Sequence, residues 1–138
     1  MALRYERDLP LDPARVAHLY ESAGLRRPTR DLERIAKMLQ HANLVWTAWE
    51  GERLVGIARC LTDFAWSCYL ADLAVAGDLQ HQGVGRGLVQ RVRETIGPGT
   101  ALVLNSAPEA LAYYPKIGFT PLASAFHIPR RPEIASLL

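Results

Sequence analysis

Gln80-His81-Gln82-Gly83-Val84-Gly85-Arg86-Gly87 is the stretch on which the reading of this chain turns. Gly83, Gly85 and Gly87 alternate with larger residues. Upstream, residues 69–75 form a short, mostly apolar run of the kind that makes a buried strand. Downstream, Leu88, Val89, Val92 and Ile96 recur at helical spacing, and Gly97-Pro98-Gly99 ends the helix. The glycines therefore join a strand to an amphipathic helix. Without Cβ atoms they let the backbone approach a ligand closely. A helix start adds unpaired N–H groups and the positive end of the helix dipole. That pairing suits phosphate, and Arg86 can add a charge-assisted contact. The structural alternative is a tight strand-to-helix connection with no ligand. Two common phosphate loops do not match. The dinucleotide fingerprint needs glycine where Leu88 stands, and the Gly-Lys-Ser/Thr triplet of a P-loop is absent.

Working outward, residues 2–6 read as a short first strand. Asp12-Pro13 is a helix start, Val16, Leu19, Tyr20 and Ala23 share one helical face, and Gly24 is a stop. Pro28 and Thr29 open a second helix carrying Leu32, Ile35, Ala36 and Leu39. Residues 44–49 and 54–61 read as a hairpin across Glu50-Gly51-Glu52. After the glycine loop and its helix come a strand at 101–104, a helix from Pro108 to about Lys116, and two closing strands at 119–123 and 125–128. The order predicts an α/β (α+β) fold: a mixed, mostly antiparallel central sheet of six to seven strands, flanked by about four helices.

Composition bounds the rest. The 138 residues, 49% of them apolar, fit one domain spanning residues 1–138. The formal net charge is +2, and no basic stripe points to nucleic acid. No apolar run approaches a membrane span, and MALRYERDLP is too charged for a signal peptide, so a cytoplasmic protein is expected. Cys60 and Cys68 are too few for a disulfide framework, and His18, His41, His81 and His127 lack metal-ligand spacing, so no metal is expected. Trp46 and Trp49, three apart in a strand, face opposite sides, and Trp66 caps the core or lines a pocket.

A second motif lies at Ala110-Leu111-Ala112-Tyr113-Tyr114-Pro115-Lys116-Ile117-Gly118-Phe119. The two stretches together resemble the GNAT superfamily of N-acetyltransferases. Gln80, Gly83 and Gly85 match its Gln/Arg-x-x-Gly-x-Gly/Ala acetyl-CoA motif, and the later stretch is similar to its A-x-x-x-Tyr-x-Lys-x-Gly-Phe helix end. Asp72-Leu73-Ala74-Val75 looks like the strand leading into the loop. There are departures: Ala107 stands where the family often has asparagine, with Asn105 two residues earlier, and Pro115 lies in the last turn.

The resemblance implies direct transfer of an acetyl group from acetyl-CoA to a primary amine of a small-molecule or peptide acceptor. Backbone N–H groups of Gly83, Val84, Gly85, Arg86 and Gly87 would hold the pyrophosphate, Gln80 would shape the loop, and Leu73 and Val75 would pair with the pantetheine arm. Asn105 would stand in for the missing asparagine. Tyr114 would protonate the departing thiolate, its neighbour Tyr113 pointing elsewhere. Asp72, an acid in an apolar strand, is the leading general base, with an ion-pair role as the alternative and Asp63 as second choice. A non-catalytic acyl-CoA sensor is the competing function. A homodimer through the C-terminal strands is also implied, with Ile134-Ala135-Ser136-Leu137-Leu138 as a further apolar contact.

Overall fold

The computed structural model describes residues 2–135, 137 and 138. Five strands form one sheet in chain order: β1 (Arg4–Arg7), β2 (Leu44–Glu50), β3 (Arg53–Thr62), β4 (Ser67–Val75) and β5 (Ala101–Leu104). All neighbours are antiparallel except β4 and β5, which run parallel. Helices α1 (Pro13–Ala23) and α2 (Leu32–His41) join β1 to β2, α3 (Val84–Ile96) joins β4 to β5, and the one-turn α4 (Pro132–Ala135) lies near the C-terminus.

Local chemistry sets the helix ends. The Asp12 carboxylate accepts the Ala14 N–H at 3.0 Å, with Pro13 in the first turn. Asp31, rather than Thr29, caps α2 by accepting the Arg34 N–H at 3.1 Å, so that helix starts at Leu32. Helices cover both faces of the sheet. On one face the Tyr20 hydroxyl of α1 reaches Asp72 of β4, and the Met38 carbonyl of α2 accepts from Arg59 of β3. On the other face Val84 and Leu88 of α3 press on Gly56 of β3, and Trp46 donates to Thr95 at 3.0 Å. Trp49 is buried on the first face, beneath the guanidinium of Arg15. Val16, Leu19, Tyr20, Ile35, Ile57, Leu88, Val89 and Val92 fill the space between the layers.

Three expectations need correction. The segments at 119–123 and 125–128 form no strands, so the described sheet has five strands rather than six or seven. Pro121 and Pro129 deny the ladder a donor near either end, and nothing covers the side chains: Phe126 and Ile128 are 97% and 96% exposed. The helix expected from Pro108 to Lys116 is instead two 3-10 turns, Pro108–Ala110 and Tyr114–Ile117. Pro115 has no N–H to give to Leu111, so the segment closes through i to i+3 bonds such as Lys116 N–H to the Tyr113 carbonyl at 3.0 Å. The C-terminal tail falls partly outside the described residues, at Ser136.

A β-carbon on Gly56 would lie 3.0 Å from Leu88 Cδ1 and 3.2 Å from Val84 Cγ1. Gly56→Val should therefore push α3 off the sheet and cost about 1–3 kcal/mol, read as a lower denaturant midpoint with unchanged helix content.

Candidate active site

The site begins where β4 leaves β5. Their pairing ends at Leu70 opposite Leu104. One residue later β4 bulges: Leu70 pairs with Cys60 and Asp72 with Arg59, leaving Ala71 unmatched. From Ala71 to Val75 the strand keeps β3 on one edge and, among the described residues, has no strand on the other. Ala76 donates its N–H to the Val55 carbonyl, so the two-residue repeat turns the amides of Leu73 and Val75 toward the open edge. Two side chains tie down carbonyls there. Gln80 Nε2 donates to the Val75 carbonyl at 3.0 Å and to the Ala23 carbonyl at 3.1 Å, and Arg27 Nη2 donates to the Ala71 carbonyl at 3.0 Å.

The N-terminus of α3 follows. Gly83 takes φ 86°, a left-handed conformation that suits glycine, and no side chain caps the helix. The first N–H groups of α3, on Val84, Gly85 and Arg86, have no intrahelical acceptor. Gly87 differs, since its N–H is given to the Gly83 carbonyl at 3.0 Å. Its part is steric: a β-carbon there would meet the Tyr5 hydroxyl at 2.6 Å. Arg86 donates to the Lys116 carbonyl at 3.1 Å.

Tyr114 is half-buried in its 3-10 turn, edge-on to Tyr113 at 5.3 Å and to Phe119 at 5.5 Å between ring centres. Burial, then the neighbouring Tyr113, raises its pKa above the usual phenol value, against a smaller opposing effect of Arg27. Tyr113 points to the helix start, where its hydroxyl would lie 2.6 Å from a β-carbon on Gly85. Asn105 is exposed immediately after β5.

Asp72 is the charged centre of the α1–α2 face. Its carboxylate accepts from Arg27 at 2.6 Å, Arg59 at 2.5 Å and the Tyr20 hydroxyl at 2.5 Å. Burial alone would raise its pKa, but the Arg59 bond and charge, then the Arg27 charge, outweigh that and hold the carboxyl below its usual range. The Tyr20 phenol is pushed up, by burial first and the Asp72 charge second. A depressed pKa and three donors are the setting of the ion-pair reading, since a general base works best near neutrality. Asp63 is likewise engaged: its Oδ1 accepts the N–H groups of Ala65, Trp66 and Ser67, which lower its pKa to about 2. Among the described residues no group of three His, Cys, Asp or Glu is placed to hold a metal ion.

Residues 17–127 match the family model described as an acetyltransferase (GNAT) domain. The chain belongs to the GNAT acetyltransferase family. Over 115 residues this GNAT chain is 27% identical to serotonin N-acetyltransferase 2, chloroplastic, of Oryza sativa subsp. japonica, covering 79% of the chain and 56% of that protein. It is 31% identical over 96 residues to GCN5-related N-acetyltransferase 1, chloroplastic, of Arabidopsis thaliana, covering 67% and 49%. The chain thus spans about half the length of the curated relatives it matches. The fold is shared with a GNAT family acetyltransferase of Streptococcus pneumoniae, at TM-score 0.72 and 21% identity over 94% of this chain and all of that one. No helix among the described residues is long and apolar enough to cross a membrane.

Sequence reasoning on this GNAT chain missed Arg59 and Tyr20 as partners of Asp72. Tyr20 reads as one more apolar-face residue, and Arg59 is hidden in a β-rich run. The only signal was the cost of burying Asp72, which requires a cation somewhere. Asp72→Asn removes the one negative charge shared by two guanidiniums whose side chains are 27% and 11% exposed. The expected loss is about 3–5 kcal/mol of folding stability, read by urea unfolding. Because the folded pKa of Asp72 lies below its unfolded value, its stabilisation is present above that unfolded value of about 3.9 and lost as pH falls through the folded one. The acid-side fall in stability should therefore be shallower in Asp72→Asn than in the wild type.

Proposed function

We propose that this domain transfers the acetyl group of acetyl-CoA to a primary amine. The reading rests on one observation: β4 presents an open edge at Leu73 and Val75 that runs from the bulge at Ala71 to the uncapped start of α3. An extended amide-bearing arm can add to that edge like a strand, and a pyrophosphate at its end would meet the N–H groups of Val84, Gly85 and Arg86. The residues fit this ligand, with Gln80 holding the loop against Ala23 and Val75. Asn105 lies beyond the end of β5, on the side where the strands part.

In the proposed reaction the neutral amine attacks the thioester carbonyl. A backbone N–H on the open edge of β4 steadies the developing oxyanion. The new C–N bond forms, the C–S bond breaks, and the electron pair leaves with sulfur. Tyr114 gives its phenolic proton to that sulfur and recovers one from solvent, while the proton shed by the nitrogen passes to water. Asp72 holds Arg27 and Arg59 in place, and Arg27 in turn holds the Ala71 carbonyl. The acceptor approaches past the loop 25–31, where Arg26, Arg27 and Arg30 leave the local charge positive. The free cysteines Cys60 and Cys68 suit a reducing compartment, and we place the protein in the cytoplasm, with residues 1–138 forming one domain. Exposed Phe126 and Ile128 are the surface through which two copies would pair.

Tyr114→Phe should lower kcat about 100-fold while leaving CoA affinity within about threefold, as loss of a general acid does. With its pKa raised by burial, the basic limb assigned to Tyr114 in the kcat profile should lie above about pH 10 and vanish in the variant. Thiol release from acetyl-CoA across an amine panel measures both. Thermal stabilisation by CoA with no turnover of any amine would make the domain an acyl-CoA sensor instead.

A further inference from the structure

The segment carrying Tyr114 is thinly anchored. Residues 108–119 contain two 3-10 turns and a single buried side chain, Ile117. Two side-chain contacts join it to the first turn of α3. Arg86 Nη2 donates to the Lys116 carbonyl at 3.1 Å, two residues beyond Tyr114 and thirty from Arg86 itself. The Tyr113 hydroxyl occupies the space left by the missing β-carbon of Gly85. Further along α3, Arg93 Nη1 comes within 3.6 Å of where Gly118 would carry its own. The tyrosine is thus fixed from two sides: Tyr113 and Phe119 of its own segment grip the ring, and Arg86 of α3 holds the backbone.

We propose that Arg86 is a positioning residue for Tyr114: its guanidinium serves the Lys116 carbonyl, and through it the angle at which the phenol meets the departing sulfur. The Arg86 side chain therefore contributes to kcat, while its backbone N–H stays with the start of α3. The inference rests on the acetyl-transfer reading of Tyr114. It also links the two motifs physically, because Arg86 sits in the first turn of α3 and bonds to the segment that bears Tyr114.

Arg86→Gln should lower kcat about tenfold or more, as small misplacements of reacting groups do, while the KM for acetyl-CoA and the Kd for CoA stay within about twofold. On a Tyr114→Phe background the same change should cost no further kcat, because the residue acts through a group already removed. Amide hydrogen exchange supplies a readout independent of turnover: exchange across 108–119 should speed up in Arg86→Gln and return toward wild type in Arg86→Lys, whose ammonium can still donate to the carbonyl. A rise in acetyl-CoA KM with kcat kept, losses that add in the double variant, or unchanged exchange at 108–119 would each overturn the proposal. Wild-type protein that acetylates no amine would sink the functional reading alone, since the exchange result would still report whether Arg86 holds the segment.

Discussion

A sheet strand cannot pair on an edge and also offer that edge to a ligand, and β4 resolves this by changing partners along its length. Up to Leu70 it is held on both sides, by β3 and β5. At Ala71 it bulges and loses β5, and the remaining residues keep only β3. Amides with no strand opposite them are costly to leave buried and unpaired. The chain meets that constraint at two carbonyls with Arg27 and Gln80, and leaves Leu73 facing outward. The rest of the site is arranged around this gap.

The Asp72 cluster is the second consequence. Two arginines, one aspartate and a tyrosine lie beside the gap, with Asp72 taking donors on both carboxylate oxygens. Such a cluster adds little net stability over an apolar core, since the desolvation of each charge offsets most of the attraction. Its directional bonds do something packing cannot. They lock the connection between α1 and α2 onto β4, and Arg27 joins that connection to the bulge itself. The same loop is therefore held at a defined distance from the open edge.

How much of this was legible in the chain depends on the range of the interaction. The glycine run, the apolar strand before it and the amphipathic helix after it are short-range patterns, and they mark the strand, the turn and α3 correctly. The caps of α1 are equally local: Asp12, Pro13 and Gly24 bracket the helix as their chemistry dictates. Misreadings came where a local preference met a tertiary condition. Residues 119–128 have strand-like composition but no strand paired with them, and a lone strand cannot satisfy its own amides. Pro115 was visible as a breaker, and its missing N–H splits the expected helix into two 3-10 turns, while what holds those turns in place, Arg86 and the Tyr113 contact with Gly85, lies on α3. Asp72 was marked by its apolar neighbours, but its partners lie 13, 45 and 52 residues away along the chain.

The amino-acid sequence alone determined the elements from β1 to β5 and their order, and it marked the glycine-rich turn before α3, because those follow from periodicity, capping and the conformational range of glycine within a few residues. Only the tertiary structure decided where β4 parts from β5, which donors neutralise Asp72, and what holds Tyr114 in place. Each of those is a contact between residues distant in the chain, and its energy exists only once the sheet and helices have been brought together.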